Sequence, residues 1–225
     1  AIWQFAMVKA KETGPNALGS AFSGIIDKLP RPSYLPTNTV LNLYDKDNDI
    51  RYNAYFTYDS IDAQTVPDFM ITYCKKWPGN PELYEGKSNN INKTKAFRIS
   101  EMYLIAAEAY AMSGDETNAS AMLNKLKTAR VKGWSDKSYK GDALIKEIQD
   151  EYVRELFGEQ PYFFDLKRWK KGLNRSSSEA QDISYLPALG TDMVKSADDH
   201  MWVWPIPKDE IDANPQIKGQ QNAGY

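Results

Sequence analysis

The sequence predicts a mainly α protein, built from helical hairpins and a large irregular, loop-rich part with few short strands. Three observations carry this. Apolar residues recur at a helical period from Phe97 to Lys171. The stretch 1–96 is broken by Pro30, Pro32 and Pro36 and again by Pro78 and Pro81. Glu147, Glu151, Glu155 and Glu159 repeat every four residues, which places them on one helix face.

In chain order, RYNAYFTY (Arg51–Tyr58) alternates and predicts a strand. At Phe97 the character changes. RISEMYLIAAEAYAMSG puts Ile99, Met102, Tyr103, Ala106, Ala109 and Tyr110 on one stripe, and Leu104, Ala107 and Ala111 widen it. A helix apolar on most sides predicts burial on most sides. Gly114 is placed as its stop and Asp115 as the next N-cap. The second helix carries Met122, Leu123, Leu126 and Arg130 on one face. The pair reads as an antiparallel hairpin, with the small-residue pattern of a tetratricopeptide-like unit. Asp142 can cap a third helix with the stripe Ile145, Ile148, Tyr152 and Leu156, ended by Gly158. Pro161 suits the first turn of a fourth helix. That helix turns Tyr162, Leu166 and Trp169 inward, closes on Lys167, Arg168, Lys170 and Lys171, and stops at Gly172. MWVWPIP (Met201–Pro207) reads as extended and the remaining tail as turn-rich. The expected organisation is an aromatic-rich irregular part over 1–96, a helical core over 97–172, and a C-terminal segment over 173–225 packing back on that core, one unit overall.

Composition excludes several function classes. The chain has 225 residues, 42% of them hydrophobic, enough for a sizeable core. The 28 Lys and Arg nearly balance 30 Asp and Glu, so no basic surplus is available for a phosphate backbone. Nothing approaches the apolar length of a membrane-spanning helix. The opening AIWQFAMVKAKETG lacks the pattern of a signal peptide. Cys74 is the single cysteine, so no internal disulfide or multi-cysteine metal site is expected.

The carboxylate row invites a catalytic reading, because paired carboxyl groups about 5–5.5 Å apart serve retaining glycosidases. Glu151 and Glu155, however, project from one helix in one direction, whereas a glycosidase pair flanks the scissile bond. A charged face paired with Arg98, Arg154 and Arg168 fits better. DKDND (Asp45–Asp49) starts like a calcium loop but continues with Ile50 and has Phe56 at the twelfth position, so it reads as a solvated turn. GKS (Gly86–Ser88) lacks the first glycine of a phosphate loop, where Pro81 stands. The lone His200 has no nucleophile elbow to serve. Among the many aromatics, Tyr73, Trp77 and Tyr84 occupy proline-interrupted sequence. A ring held there suits stacking on a sugar or filling a local core. These three are the candidate ligand-binding residues, with Trp77 the first choice.

The pieces FRISEMYLIAAEAY (97–110), LNKLKTAR (123–130), EYVRELFGEQPYFFDLKRW (151–169), WPIPKDEIDANPQ (204–216) and the final QNAGY, in this order, resemble the C-terminal portion of the SusD/RagB family. DNDIRYNAYF (47–56) resembles that family's Asp-x-Arg segment. The resemblance implies a non-enzymatic, surface-exposed, outer-membrane lipoprotein of Bacteroidota. It would bind a nutrient glycan beside a SusC-like TonB-dependent transporter, without cofactor or metal. It implies further helices and a lipid anchor upstream of Ala1. It also implies that the matching helices are framework. Glu101 and Glu108, on the apolar first helix, then need cationic partners, as does Glu155, with Arg98, Arg154 and Arg168 as candidates. A peptide-binding RagB-like protein and a carboxylate-dependent glycoside hydrolase remain the alternative classes.

Overall fold

The structure, a computed structural model, describes residues 2–4, 22, 25–26, 29–30, 32–61, 69–77, 92, 95–159, 162–175, 181 and 194–225. The chain divides into two units: residues 1–160 with 180–185, and residues 161–179 with 186–225. In chain order the first holds β1 (Trp3–Gln4), β2 (Ile25–Ile26), β3 (Leu29–Pro30), α1 (Asn38–Asn42), α2 (Ile50–Tyr55), β4 (Phe56–Ile61), β5 (Phe69–Cys74), β6 (Lys95–Phe97), α3 (Ile99–Met112), α4 (Glu116–Thr128) and α5 (Gly141–Leu156). Its strands form three two-stranded antiparallel ribbons, β1 with β6, β2 with β3, and β4 with β5. Helices dominate and the described strands close no barrel or large sheet, so the chain is mainly α, as its sequence pattern predicts.

RYNAYFTY departs from the expected strand. Asp49 caps α2 by accepting the Arg51 backbone N–H, and the chain is helical to Tyr55 before it extends into β4. A local cap and the burial of Arg51 select the helix at its start. The β4–β5 hairpin pairs Phe56 with Cys74, Tyr58 with Thr72, Ser60 with Met70 and Ile61 with Phe69. One face buries Ile61, Ile71 and Tyr73 against Leu35. The base of the other buries Phe56 and Cys74 with Leu41 and Tyr44.

The helices follow their apolar period closely. Gly114, at φ +83°, turns α3 into α4, and Asp115 caps α4 through the Asn118 N–H. α3, α4 and α5 pack together. They bury Leu104 and Ala107, then Ala119, Leu123 and Leu126, then Leu144, Ile148, Tyr152 and Leu156. Burial of α3 is narrower than its composition suggests, since Ile99, Ile105 and Met112 are exposed. Asp142 is not the cap of α5. Lys140 holds that position without a side-chain bond, and Glu116 accepts the Gly141 N–H instead. The 131–140 loop is stitched to α4. Asn124 takes the Trp134 indole N–H and both backbone groups of Lys137, while Ser120 takes both backbone groups of Tyr139.

The second unit contains α6 (Tyr162–Arg168), β7 (Leu173–Asn174) paired with β8 (Val194–Lys195), a 3₁₀ turn at His200–Trp202, α7 (Lys208–Ala213) and a 3₁₀ stretch at Pro215–Gln220. The sequence grouped α6 with the preceding helices, but α6 belongs here, where Phe163 lies 5.2 Å from the Trp202 ring. Buried Trp202 donates its indole N–H to the Ser196 carbonyl at 2.6 Å. The expected extended run starts only after this 3₁₀ turn. The closing residues clip onto it: Gln221 pairs with both backbone groups of Ile206, Asn222 donates to the Trp204 carbonyl, and the Tyr225 hydroxyl donates to that of Val203.

Candidate functional site: an aromatic strip on a buried ion cluster

The acidic row of α5 faces inward. On α5, Glu151 and Glu155 are fully buried and Glu147 partly so, while Glu159, expected on the same helix face, lies in the turn beyond the helix end at Leu156 and is partly buried there. Arg51 is the centre of their setting. Its guanidinium grips Asp49 twice, at 2.9 and 2.7 Å, and gives its other terminal nitrogen to Glu151 at 2.7 Å and Glu155 at 3.0 Å. Glu151 also takes Arg154 at 2.7 Å and Lys127 at 3.2 Å. Glu155 takes Arg98 and Arg130, both at 2.9 Å. Glu147 pairs with Lys127 at 2.5 Å and with Arg154. Glu159 pairs with Lys76 at 2.5 Å and Arg98 at 2.6 Å.

This setting decides what the carboxylates can do. Burial alone would raise the pKa of Glu151, but the charges of Arg51, Arg154 and Lys127 outweigh it and hold the group well below the ordinary carboxylate range. Glu155 is likewise pulled down, against its burial, to about 2 by Arg130, Arg51 and Arg98. A general acid must carry a proton near the working pH, and neither group does. The row is a brace between α2, α4 and α5.

The residues expected to form ion pairs separate into groups. Arg98, Arg154 and Glu155 all enter the cluster. Arg168 pairs with Asp165 at 3.1 Å within α6 of the second unit. Glu101 and Glu108 are half-buried on α3 and have interactions of their own, while Arg98 and Arg154 spend their guanidinium groups on Glu155, Glu159, Glu147 and Glu151. Asp49, Arg51, Lys76, Lys127 and Arg130 were not foreseen. Asp45 and Asp47 do lie on the expected solvated turn, where Asp45 accepts the Asp47 and Asn48 N–H groups. Asp49, the last residue of that run, is instead buried on Arg51. The sequence signal for it was the Asp-x-Arg spacing itself.

Above the brace runs a strip of rings. Trp77 is part-buried, with Phe22 at 4.9 Å, and Phe22 lies 6.0 Å from both Tyr34 and Phe157. Tyr34 is 55% exposed and forms the solvent end. Lys76 fixes the strip to the brace. Its ammonium bonds Glu159 and the Phe157 carbonyl and sits 4.0 Å from the Tyr55 ring centre. Burial lowers its pKa to about 8, against the pull of Glu159. Gly158 makes room for the strip. It has φ +68°, and a Cβ there would collide with the Trp77 indole.

Of the three candidate ligand-binding residues, Trp77 joins the strip as a part-packed ring rather than one resting freely on a turn. Tyr73 is only 7% exposed and points to the opposite hairpin face, among Ile61 and Ile71, so its ring lies in the core. Tyr84 lies outside the described residues, as do Pro78, Pro81 and Gly86–Ser88. Phe22 and Tyr34 complete the strip, and neither was singled out from sequence.

The SusD family model matches residues 44–225. No curated protein matches the chain. Among solved structures, a Bacteroides vulgatus protein assigned as sugar-binding is 27% identical with a TM-score of 0.67, covering 94% of this chain and 43% of its own. A SusD superfamily protein of Bacteroides thetaiotaomicron is 24% identical with a TM-score of 0.67, covering 93% and 45%. Another from Bacteroides vulgatus is 20% identical with a TM-score of 0.64, covering 98% and 51%. The chain thus spans about half or less of the length of each of these.

Proposed function

Because the chain belongs to the SusD family, we propose that it binds a nutrient glycan at the cell surface and passes it to a SusC-like TonB-dependent transporter, without enzymatic turnover. The observation that carries this reading is the strip Tyr34–Phe22–Trp77: part-exposed rings held by a rigid brace. Part-exposed flat rings suit the C–H faces of sugars, and the acids beneath them are already spent on cations. The sugar-binding assignment of the Bacteroides vulgatus relative supports the same ligand class. The full protein is then a lipid-anchored outer-membrane protein of a Bacteroidota species. No helix among the described residues is long and apolar enough to cross a membrane.

The test is binding to a panel of neutral and acidic polysaccharides, by affinity electrophoresis and calorimetry. Tyr34→Ala and Trp77→Ala should each weaken binding by roughly 1–3 kcal/mol, the scale of ring stacking by alanine substitution. Tyr34→Ala should leave the melting temperature unchanged. Trp77→Ala should lower it, because that ring also packs on Gly158 and Phe22. Binding of extended peptides but no glycan, or release of reducing sugar by the chain, would overturn the reading.

A further inference from the structure

The core cluster against which Trp77 packs leads to a second face, on the β4–β5 hairpin. Phe56 and Cys74, in the same cluster as Trp77 and Phe22, form the base of one face of the β4–β5 hairpin. The next pair outward on that face, two residues or ~7 Å along the strands, is Tyr58 opposite Thr72. The pair after it is Ser60 opposite Met70. Tyr58 is 67% exposed and Met70 is exposed, while Ser60 and Thr72 are half-buried beside them.

Two features set this face apart from an ordinary solvated ribbon. The first is how Tyr58 is held. Both backbone groups of Thr72 turn away from β4 to the Gln181 side chain, its N–H to Oε1 at 3.0 Å and its carbonyl to Nε2 at 2.7 Å. Gln181 Nε2 also reaches the Pro36 carbonyl at 2.9 Å. A residue in an antiparallel ladder sends both backbone groups to the same side, so Tyr58–Thr72 is a non-hydrogen-bonded pair, the kind that brings side chains closest. The Thr72 side chain therefore stands directly beside the Tyr58 ring, on a strand pinned from its outer edge. The opposite hairpin face is buried on Ile61, Ile71 and Tyr73, so the ribbon has a firm backing.

The second feature is chemical. In a chain with 26% charged residues, the outward residues Tyr58, Ser60, Met70 and Thr72 are all uncharged. The hydroxyls of Tyr58, Ser60 and Thr72 have no hydrogen-bond partner among the described residues. An open aromatic ring, an apolar wall and three hydroxyls on one face match a neutral polyhydroxylated ring. Such a ring has an apolar C–H face and a rim of donors and acceptors. Among the described residues, this face offers a charged ligand no counter-ion.

We propose that this hairpin face is a second stacking subsite, in which the Tyr58 ring takes the C–H face of a neutral sugar residue while Ser60 and Thr72 bond its hydroxyls. It rests on the glycan-binding role proposed above and extends it. Two stacking sites, one at Trp77 and one at Tyr58, suit a chain of neutral sugars rather than a single ring.

The experiment is an NMR titration of the chain carrying labelled Tyr and Trp. The probes are the methyl glycosides of glucose, galactose, mannose and xylose, each in large excess. Tyr58 ring signals should move saturably with at least one probe. Thr72→Val and Ser60→Ala should each weaken that response several-fold, with the rest of the spectrum unchanged. Tyr110, exposed on α3, is the internal control. If Tyr58 moves no more than Tyr110 with all four probes, the subsite is refuted. The Trp77 indole signal, read in the same spectra, separates the two claims. Movement of Trp77 without Tyr58 leaves the glycan-binding strip standing and removes only the extension. Movement of Tyr58 without Trp77 keeps the subsite and shifts the main site to the hairpin.

Discussion

Replacing Arg51 by alanine removes a cation that touches three buried carboxylates. The consequences differ among them. Glu151 keeps Arg154 and Lys127, and Glu155 keeps Arg98 and Arg130. Asp49, 2% exposed, has no other cationic partner among the described residues and retains there only the N–H of residue 51. One uncompensated buried charge costs ~3–5 kcal/mol. With a urea m-value of roughly 2–3 kcal/mol/M, a loss of about 4 kcal/mol lowers the midpoint by about 1.3–2 M. The assay is urea unfolding followed by circular dichroism at neutral pH. Lys146→Ala is the control, because Lys146 is 69% exposed beside Asp150 and such a pair contributes ~0–1 kcal/mol. The double variant Arg51→Met with Asp49→Asn should recover at least half of the loss, since no charge is then stranded. If Arg51→Ala and Lys146→Ala shift the midpoint equally, the Asp49–Arg51 pair is not the buried keystone described above.

Three further outcomes follow from the same geometry. Glu151 and Glu155 titrate lower in the folded chain than in the unfolded one, Glu155 at about 2. Their contribution is therefore complete above the unfolded value of about 4.3 and is lost as pH falls toward 2, so the urea midpoint should drop steeply over that window. Lys76 has the opposite sign: its folded pKa, about 8, lies below the unfolded value, so stability should rise with pH from about 8 to about 10.4. Lys76→Met should flatten that alkaline rise. Gly158→Ala meets both a left-handed backbone and the Trp77 indole, which together cost roughly 2–4 kcal/mol. It should lower the melting temperature by roughly 4–16 °C and move tryptophan emission to longer wavelength. Unchanged emission would place Trp77 elsewhere.

The helices α3, α4 and α5 were legible because each is long enough to show its period several times, and because Gly114 and Asp115 mark a boundary that local chemistry alone dictates. The carboxylate row was legible as a row, but not as buried. Spacing places Glu151 and Glu155 on one face, whereas burial depends on what meets that face. Their keystone, Arg51, lies 100 and 104 residues away in sequence. No local pattern announces such a partner, and a charged helical face without one belongs in solvent. The same limit explains part of RYNAYFTY. It reads as a strand, yet Asp49 caps a helix there and Arg51 is committed to Glu151 and Glu155 on α5, a long-range tie that the segment itself does not show. The aromatic site divides along the same line. Trp77 could be picked from its turn-rich surroundings, but Phe22 and Tyr34 join it only through folding. Tyr73 and Cys74 differ by a single step of strand parity, and that step sends Tyr73 into the core and Cys74 to the face that continues to Thr72 and Tyr58. Parity is visible in a sequence, but which parity stays open to solvent beyond the first pair is not, because it is set by where Leu35 and Trp77 come to rest against the hairpin.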